Sequence, residues 1–144
     1  MSNYKSGKFT SNRNDWETPD ELFDPLNDEF GFTMDVCATE ENKKCWMCYT
    51  EKEDGLSQDW AQWYACWMNP PFNKNKEWVK KAYEESLKGA TVVCLVPART
   101  NTNWWHDYCM KGEVRFIKGR PVFKGATGGL PQPLAIVIFR GKQV

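Results

Sequence analysis

The chain has 144 residues, of which 41% are hydrophobic and 26% charged, with no net formal charge. That size suits one domain, the composition is that of a folded protein and not a disordered one, and no apolar run approaches the roughly 18 residues of a membrane span. The opening MSNYKSGKFTSNRN is polar and lacks the apolar core of a secretory signal, so the expectation is a loose arm over 1–14, a single domain over 15–144 and a cytoplasmic location with no membrane partner.

In chain order, Thr18-Pro19-Asp20-Glu21 reads as a helix start, with Thr18 as cap, Pro19 at the first helical position and Glu21 closing a capping box. Leu22, Phe23, Leu26 and Phe30 mark one face at helical spacing; Pro25 is expected to kink the helix and Gly31 to end it. Phe32 to Cys37 reads as a short strand, Cys45 to Thr50 as another, and Ala65 to Met68 as a buried one running into Asn69-Pro70-Pro71-Phe72. The two prolines stop both helix and ladder pairing, so that tetrapeptide is a rigid loop. Residues 74–88 form an amphipathic helix ending at Gly89, and Thr91 to Val96 is a core strand stopped by Pro97. A helix near 102–110 follows, then strands Val114 to Ile117 and Leu134 to Phe139 joined through the Gly- and Pro-rich stretch 119–133. Strands alternating with helices, then two late strands, predict an α/β sandwich: a mostly parallel sheet with an antiparallel edge strand.

Charge is unevenly divided. Residues 1–68 hold 6 Lys+Arg against 14 Asp+Glu, whereas residues 69–144 hold 13 against 5. A basic half beside an acidic one suits a protein that meets a polyanion on one side, although the same lysines also read as solvated faces. The six cysteines read as reduced thiols. Cys45 and Cys48 form a CxxC, but no second pair stands at zinc-ribbon spacing and the sole histidine is His106, so no metal is expected.

Asn69-Pro70-Pro71-Phe72 carries the chemistry. It follows a strand, where open α/β sheets place ligands. Asn69 offers a side-chain carbonyl, Pro70 a main-chain carbonyl in a stiffened backbone, and Phe72 a flat face. Two fixed acceptors beside an aromatic plate suit a planar ring with an exocyclic amine. They take both N–H protons and leave the nitrogen lone pair more available for in-line attack on an electrophilic methyl group, by positioning and preorganised hydrogen bonds alone.

The tetrapeptide resembles the motif of S-adenosylmethionine-dependent amino-methyltransferases. Further segments fall in a matching order: Trp16-Glu17-Thr18-Pro19, Met34-Asp35-Val36-Cys37-Ala38, Asp54-Gly55-Leu56, Trp67 to Phe72, Cys94 to Thr100, and Gly119-Arg120-Pro121-Val122-Phe123. Together they resemble the small phage-encoded DNA N6-adenine methyltransferases of the Dam type, over about residues 15–140. The resemblance implies a Rossmann-like S-adenosylmethionine-dependent methyltransferase sandwich, and a phage origin with action in the host cytoplasm. It implies Asn69, Pro70, Pro71 and Phe72 as catalytic residues, and Trp16, Thr18, Pro19, Asp35, Cys37, Asp54 and Asn69 around the cofactor. Thr18 and the helix start would meet the methionine carboxylate, Asp35 the ammonium or sulfonium side, and Asp54 the adenine amine, with Glu40, Glu41 and Asn42 as weaker candidates for the ribose. Val36-Cys37-Ala38-Thr39 departs from the Gly-rich turn of many methyltransferases.

An adenine inside a duplex must be flipped out to reach such a loop, and stacking on Phe72 helps offset the cost. Double-stranded DNA is therefore the expected partner of a monomer or homodimer. Lys74, Lys76, Arg99 and Arg120 are the expected DNA contacts, with Lys80, Lys81, Arg115, Lys118 and Lys124 as further phosphate candidates. Sequence reading would fall to loops 99–104 and 119–133. N4 of cytosine, an RNA base or a protein glutamine presents an equivalent nitrogen, and a non-enzymatic nucleic-acid or zinc-binding module remains the reading from another class.

Overall fold

The computed structural model describes residues 17–124, 126, 128 and 132–141. The arm expected over 1–14 and the candidate Trp16 lie outside them. Five strands form one sheet: β1 (Met34–Asp35), β2 (Cys66–Met68), β3 (Val92–Pro97), β4 (Glu113–Phe116) and β5 (Leu134–Phe139), in the spatial order β1-β2-β3-β5-β4. β1, β2 and β3 are parallel, with Met34 opposite Cys66 and Cys66 opposite Val92. β5 runs antiparallel to both β3 and β4, so it is the one reversed strand.

The fold is thus mixed α/β, parallel at one end, but the reversed strand is interior and not at the edge as expected. Side-chain chemistry accounts for the placement. All six residues of β5, LAIVIF, are buried, which requires cover on both faces and partners on both sides. β4, EVRF, has exposed ends and carries Glu113 and Arg115, charges that an edge strand keeps in water.

Helices cover both faces. β3 shows why its apolar run is continuous: Val92, Cys94 and Val96 join one core with Trp78, Val79 and Ala82 of helix α2 (Asn75–Leu87) and Trp105 of α3 (Asn103–Asp107). Val93 and Leu95 join the other core with Phe23, Leu26 and Phe30 of α1 (Asp20–Phe30). Two-sided burial replaces the alternation of a half-exposed strand. The tryptophans supply much of the filling, since Trp60, Trp67 and Trp105 are almost wholly buried. Glu85 enters this core as a charge; burial alone would raise its carboxyl, but the Trp60 N–H at 2.8 Å and the Lys81 and Lys88 ammoniums hold it below its ordinary value.

Several sequence expectations shift by a residue or two. α1 begins at Asp20 with Pro19 as its N-cap, and the Thr18 side chain does not cap it. The helix runs through Pro25 and ends on Gly31 in the left-handed region (φ 67°), whose N–H bonds Asn27 O at 2.8 Å. The strand expected over 32–37 is two residues long, and that expected over 45–50 reduces to one parallel bridge from Cys48 to Asp35. The helix expected near 102–110 divides into α3 and a 3-10 turn at Cys109–Lys111. Among the described residues no helix is long and apolar enough to cross a membrane.

Candidate active site

Because β1, β2, β3 and β4 point the same way, their carboxyl ends share one edge of the sheet. Loops after Asp35, Met68, Pro97 and Phe116 emerge there, together with the chain entering β5, where Ala98 N–H bonds Pro133 O at 2.8 Å. This edge receives Asn69-Pro70-Pro71-Phe72. β2 is buried along its length and delivers Asn69 half-buried at its end; Pro70 and Pro71 are buried, and Phe72 opens a 3-10 turn, Phe72–Lys74, that leads into α2.

The Asn69 side chain is held from outside the loop. Its Nδ2 donates to Thr18 Oγ1 at 3.0 Å, and Thr18 is 1% exposed. Committing the amide nitrogen to Thr18 decides which way the amide carbonyl faces. Thr18 is brought there by an antiparallel bridge between Glu17 and Lys124, with Lys124 N–H on Glu17 O at 3.0 Å. The same strap brings Phe123, 3% exposed, against Phe72 in a T-shaped contact with centroids 6.4 Å apart. Ion pairs lock it: Lys44 and Lys124 each reach both Glu17 and Asp20 at 2.9 to 3.2 Å.

Beside this loop lie the candidates from the end of β1. Asp35 is 2% exposed, and its two oxygens accept backbone N–H groups of Cys37 (3.3 Å) and Lys44 (2.9 Å). The carboxylate therefore organises loop 36–44. Burial pushes its pKa up to about 7, against those N–H groups and the Lys44 ammonium. Cys37 is half-buried; burial and the Asp35 charge push its thiol well up, opposed by Lys74, which places the turn leading into α2 near the end of β1. Burial likewise raises Cys45, Cys66 and Cys109 to about 12, so these are protonated thiols at neutral pH and poor nucleophiles. Among the described residues no three His, Cys, Asp or Glu side chains converge as a metal site.

Asp54 is exposed and is the one non-glycine residue with positive φ (58°) among those described, a conformation held only where surroundings enforce it. Asp54 N–H bonds Thr50 O at 3.0 Å, its carbonyl accepts the Ser57 N–H at 2.9 Å, and Gly55 follows it. A Cβ there would overlap Val36 O, so its backbone presses on the end of β1, and Trp60 Nε1 donates to Gly55 O at 2.8 Å. Asp54 is thereby presented beside the loop after β1. The ribose candidates fare differently: Asn42 and Thr39 exchange hydrogen bonds that close their own turn (2.7 and 3.1 Å), Glu40 pairs with Lys43, and Glu41 is exposed.

The cationic candidates divide. Lys74, Lys76, Arg99, Lys118 and Arg120 are exposed, lie just past the carboxyl ends of β2, β3 and β4, and make no ion pair among the described residues. Lys124 is tied to Glu17 and Asp20, Arg115 to Glu29 and Glu113, Lys80 to Glu84 and Lys81 to Glu85, so these four are engaged within the chain. Loop 119–133 is described only in part. Sequence reasoning missed Asn75, whose Nδ2 donates to Phe72 O at 2.7 Å, because residue type alone does not show which way an amide bonds. It also missed the Thr18–Asn69 bond, which joins residues 51 apart in the chain.

The chain thus has a mixed α/β sheet with Asn69-Pro70-Pro71-Phe72 at its carboxyl edge, and its relatives point to one class of protein. The profile of the family described as DNA N-6-adenine-methyltransferase (Dam) matches residues 5–133. The DNA N-6-adenine-methyltransferase of Haemophilus phage HP1 (strain HP1c1) is 32% identical over 149 residues, covering 96% of this chain and 85% of the relative. That of Escherichia phage T1 is 33% identical over 93 residues, covering 64% of this chain but 39% of the relative, so the chain spans well under half of that longer protein. The chain belongs to the DNA N-6-adenine-methyltransferase (Dam) family. That family's reaction is methylation of adenine N6 in DNA, which requires a methyl donor and DNA as substrate.

Proposed function

We propose that the chain transfers the methyl group of S-adenosylmethionine to N6 of an adenine extruded from double-stranded DNA, on a Rossmann-like methyltransferase sheet. The observation that carries the reading is the Asn69 amide, fixed by buried Thr18 at 3.0 Å at the carboxyl end of β2 and followed by two buried prolines and Phe72. Asn69 Oδ1 and the Pro70 carbonyl accept the two N–H protons of the adenine amine. Withdrawn from conjugation with the ring, the nitrogen becomes pyramidal and nucleophilic. Phe72 stacks the extruded base and offsets part of its unstacking cost. Neither a nucleophilic side chain nor a strongly basic one is asked for, consistent with thiols held protonated by burial.

The residues beside this loop fit the cofactor. Asp54, exposed and pressed by Gly55 against the end of β1, offers a carboxylate to an N–H donor such as the cofactor's adenine amine. Thr18 bonds Asn69 and Pro19 follows it as the N-cap of α1, while Asp35 shapes the loop that carries Cys37 through the Cys37 and Lys44 N–H groups; these are the further residues assigned to the cofactor. Bound S-adenosylmethionine supplies an electrophilic methyl group on a sulfonium. Lys74, Lys76, Arg99 and Arg120, with Lys118, would neutralise phosphates on either side of the flipped nucleotide.

The test is transfer of tritium from labelled S-adenosylmethionine to DNA, RNA and protein offered side by side. The expected product is N6-methyladenine in DNA alone. Asn69→Ala should abolish transfer while circular dichroism and melting temperature stay close to wild type. Full activity in that variant, or label in RNA or protein instead, overturns the reading.

A further inference from the structure

We propose that Asn75 is a positioning residue for this reaction, its side-chain amide fixing the turn that carries Phe72. The inference rests on the reading above, in which Phe72 stacks the extruded adenine.

Asn75 is the first residue of α2 and is 4% exposed. The N-cap of α2 is Lys74, which makes no side-chain cap bond, and Asn75, one residue further in, makes none with the first-turn N–H groups either. Its amide serves the preceding turn instead. Nδ2 reaches back and donates to the Phe72 carbonyl at 2.7 Å, while Oδ1 is buried and has no hydrogen-bond partner among the described residues. A buried acceptor left unsatisfied is costly, and a residue chosen only to start the helix would avoid it. The donor side of the amide is what the position retains. The bond closes over the 3-10 turn Phe72–Lys74, which Lys74 N–H also closes onto Pro71 O at 2.9 Å. The Phe72 ring meanwhile meets Phe123 at 6.4 Å. Main chain and ring are thus held separately, Asn75 governing the first. Asn75 has no direct part in accepting the amine protons; its effect on the reaction passes through the placement of Phe72.

The experiment compares Asn75→Ala, Asn75→Ser, Phe72→Ala and the Asn75→Ala/Phe72→Ala double variant. It measures kcat and KM on DNA, together with S-adenosylmethionine affinity and melting temperature. A misplaced reacting group costs up to about 100-fold in rate, and a loss of about 10- to 100-fold in kcat is expected for Asn75→Ala. Cofactor affinity should stay unchanged and melting should not fall, since the variant also removes the unsatisfied oxygen. Asn75→Ser, which keeps a donor, should recover part of the rate. Adding Asn75→Ala to Phe72→Ala should cost nothing further, because the ring it positions is gone. Wild-type kcat in Asn75→Ala overturns the proposal and leaves the methyltransferase reading intact. A loss that is additive with Phe72→Ala, or that comes with weakened cofactor binding and lowered melting, also overturns it by showing a purely structural role. A wild-type chain that methylates no DNA would instead defeat the underlying reading.

Discussion

Burial pushes the Asp35 carboxyl from its ordinary value up to about 7, against the Lys44 and Cys37 N–H groups and the Lys44 ammonium that favour its charged form. The unfolded chain ionises this group near pH 4. Between about pH 4 and 7 the native state therefore holds a proton that the unfolded state has lost, and the stability Asp35 contributes is complete below that window and falls as pH rises through it. Every tenfold gain in proton affinity on folding corresponds to about 1.4 kcal/mol, so the loss across the window is on the order of a few kcal/mol. Urea unfolding of wild type and Asp35→Asn from about pH 4 to about pH 7 checks this. The wild type should lose stability relative to the variant as pH rises, whereas a pH-independent difference contradicts a raised carboxyl. Thr18 acts at the same scale. Thr18→Val keeps the shape but removes the oxygen that accepts from Asn69. The net worth of one hydrogen bond is about 0.5–1.5 kcal/mol, so if the bond aims the Asn69 carbonyl kcat should fall about two- to tenfold, and Thr18→Ser should restore it.

At the scale of elements, the two short segments beside β1 decide where candidate cofactor residues stand. Gly55 is needed because its backbone approaches Val36 O so closely that a Cβ would overlap it, with Trp78 only 3.0 Å away. Gly55→Ala should therefore destabilise by about 1–3 kcal/mol or more, seen as a lower urea midpoint at unchanged slope, and should weaken S-adenosylmethionine binding by shifting Asp54. A variant with the wild-type midpoint would show that the close approach relaxes freely. The strap at 17–18 and 123–124 is the counterpart on the other side of the loop. It is built from one backbone bridge and four ion pairs, with Lys44 almost enclosed (7% exposed side chain) against the Phe23 ring.

Across the whole molecule, the distribution of charge sets the DNA prediction. The five cations proposed to meet phosphates lie exposed at the carboxyl edge and make no ion pair among the described residues, whereas Arg140 sits at the opposite edge and pairs with Glu113 at 2.7 Å. If all five neutralise a phosphate, log K against log salt should have a slope of about −4 to −5, and replacing Lys76 or Arg120 by Gln should reduce its magnitude by about 1. Arg140→Gln should leave the slope unchanged. Fluorescence anisotropy with a duplex over a salt series gives the measurement, and equal slopes for all variants would place the DNA elsewhere.

Legibility in the sequence followed how local each cause is. The apolar runs of β3 and β5, the spacing of Phe23, Leu26 and Phe30, Gly31 as a stop, and the proline-stiffened loop at 69–72 are short-range patterns, and the chain alone determined them. The antiparallel strand was foreseen but not its interior place, which depends on which of two late strands has apolar residues on both faces. Lys124 and Arg115 looked like phosphate ligands because nothing local shows Glu17, Asp20 and Glu29 arriving from the far end of the chain. Asn75 did not stand out because the direction and partner of an amide hydrogen bond are not written in residue type. The amino acids themselves therefore determined the one rigid loop at 69–72 and the residue types it offers to the proposed chemistry. Only the tertiary structure decided which partners aim those groups, because hydrogen bonds and ion pairs between distant segments exist only once the sheet has brought its strand ends to a common edge.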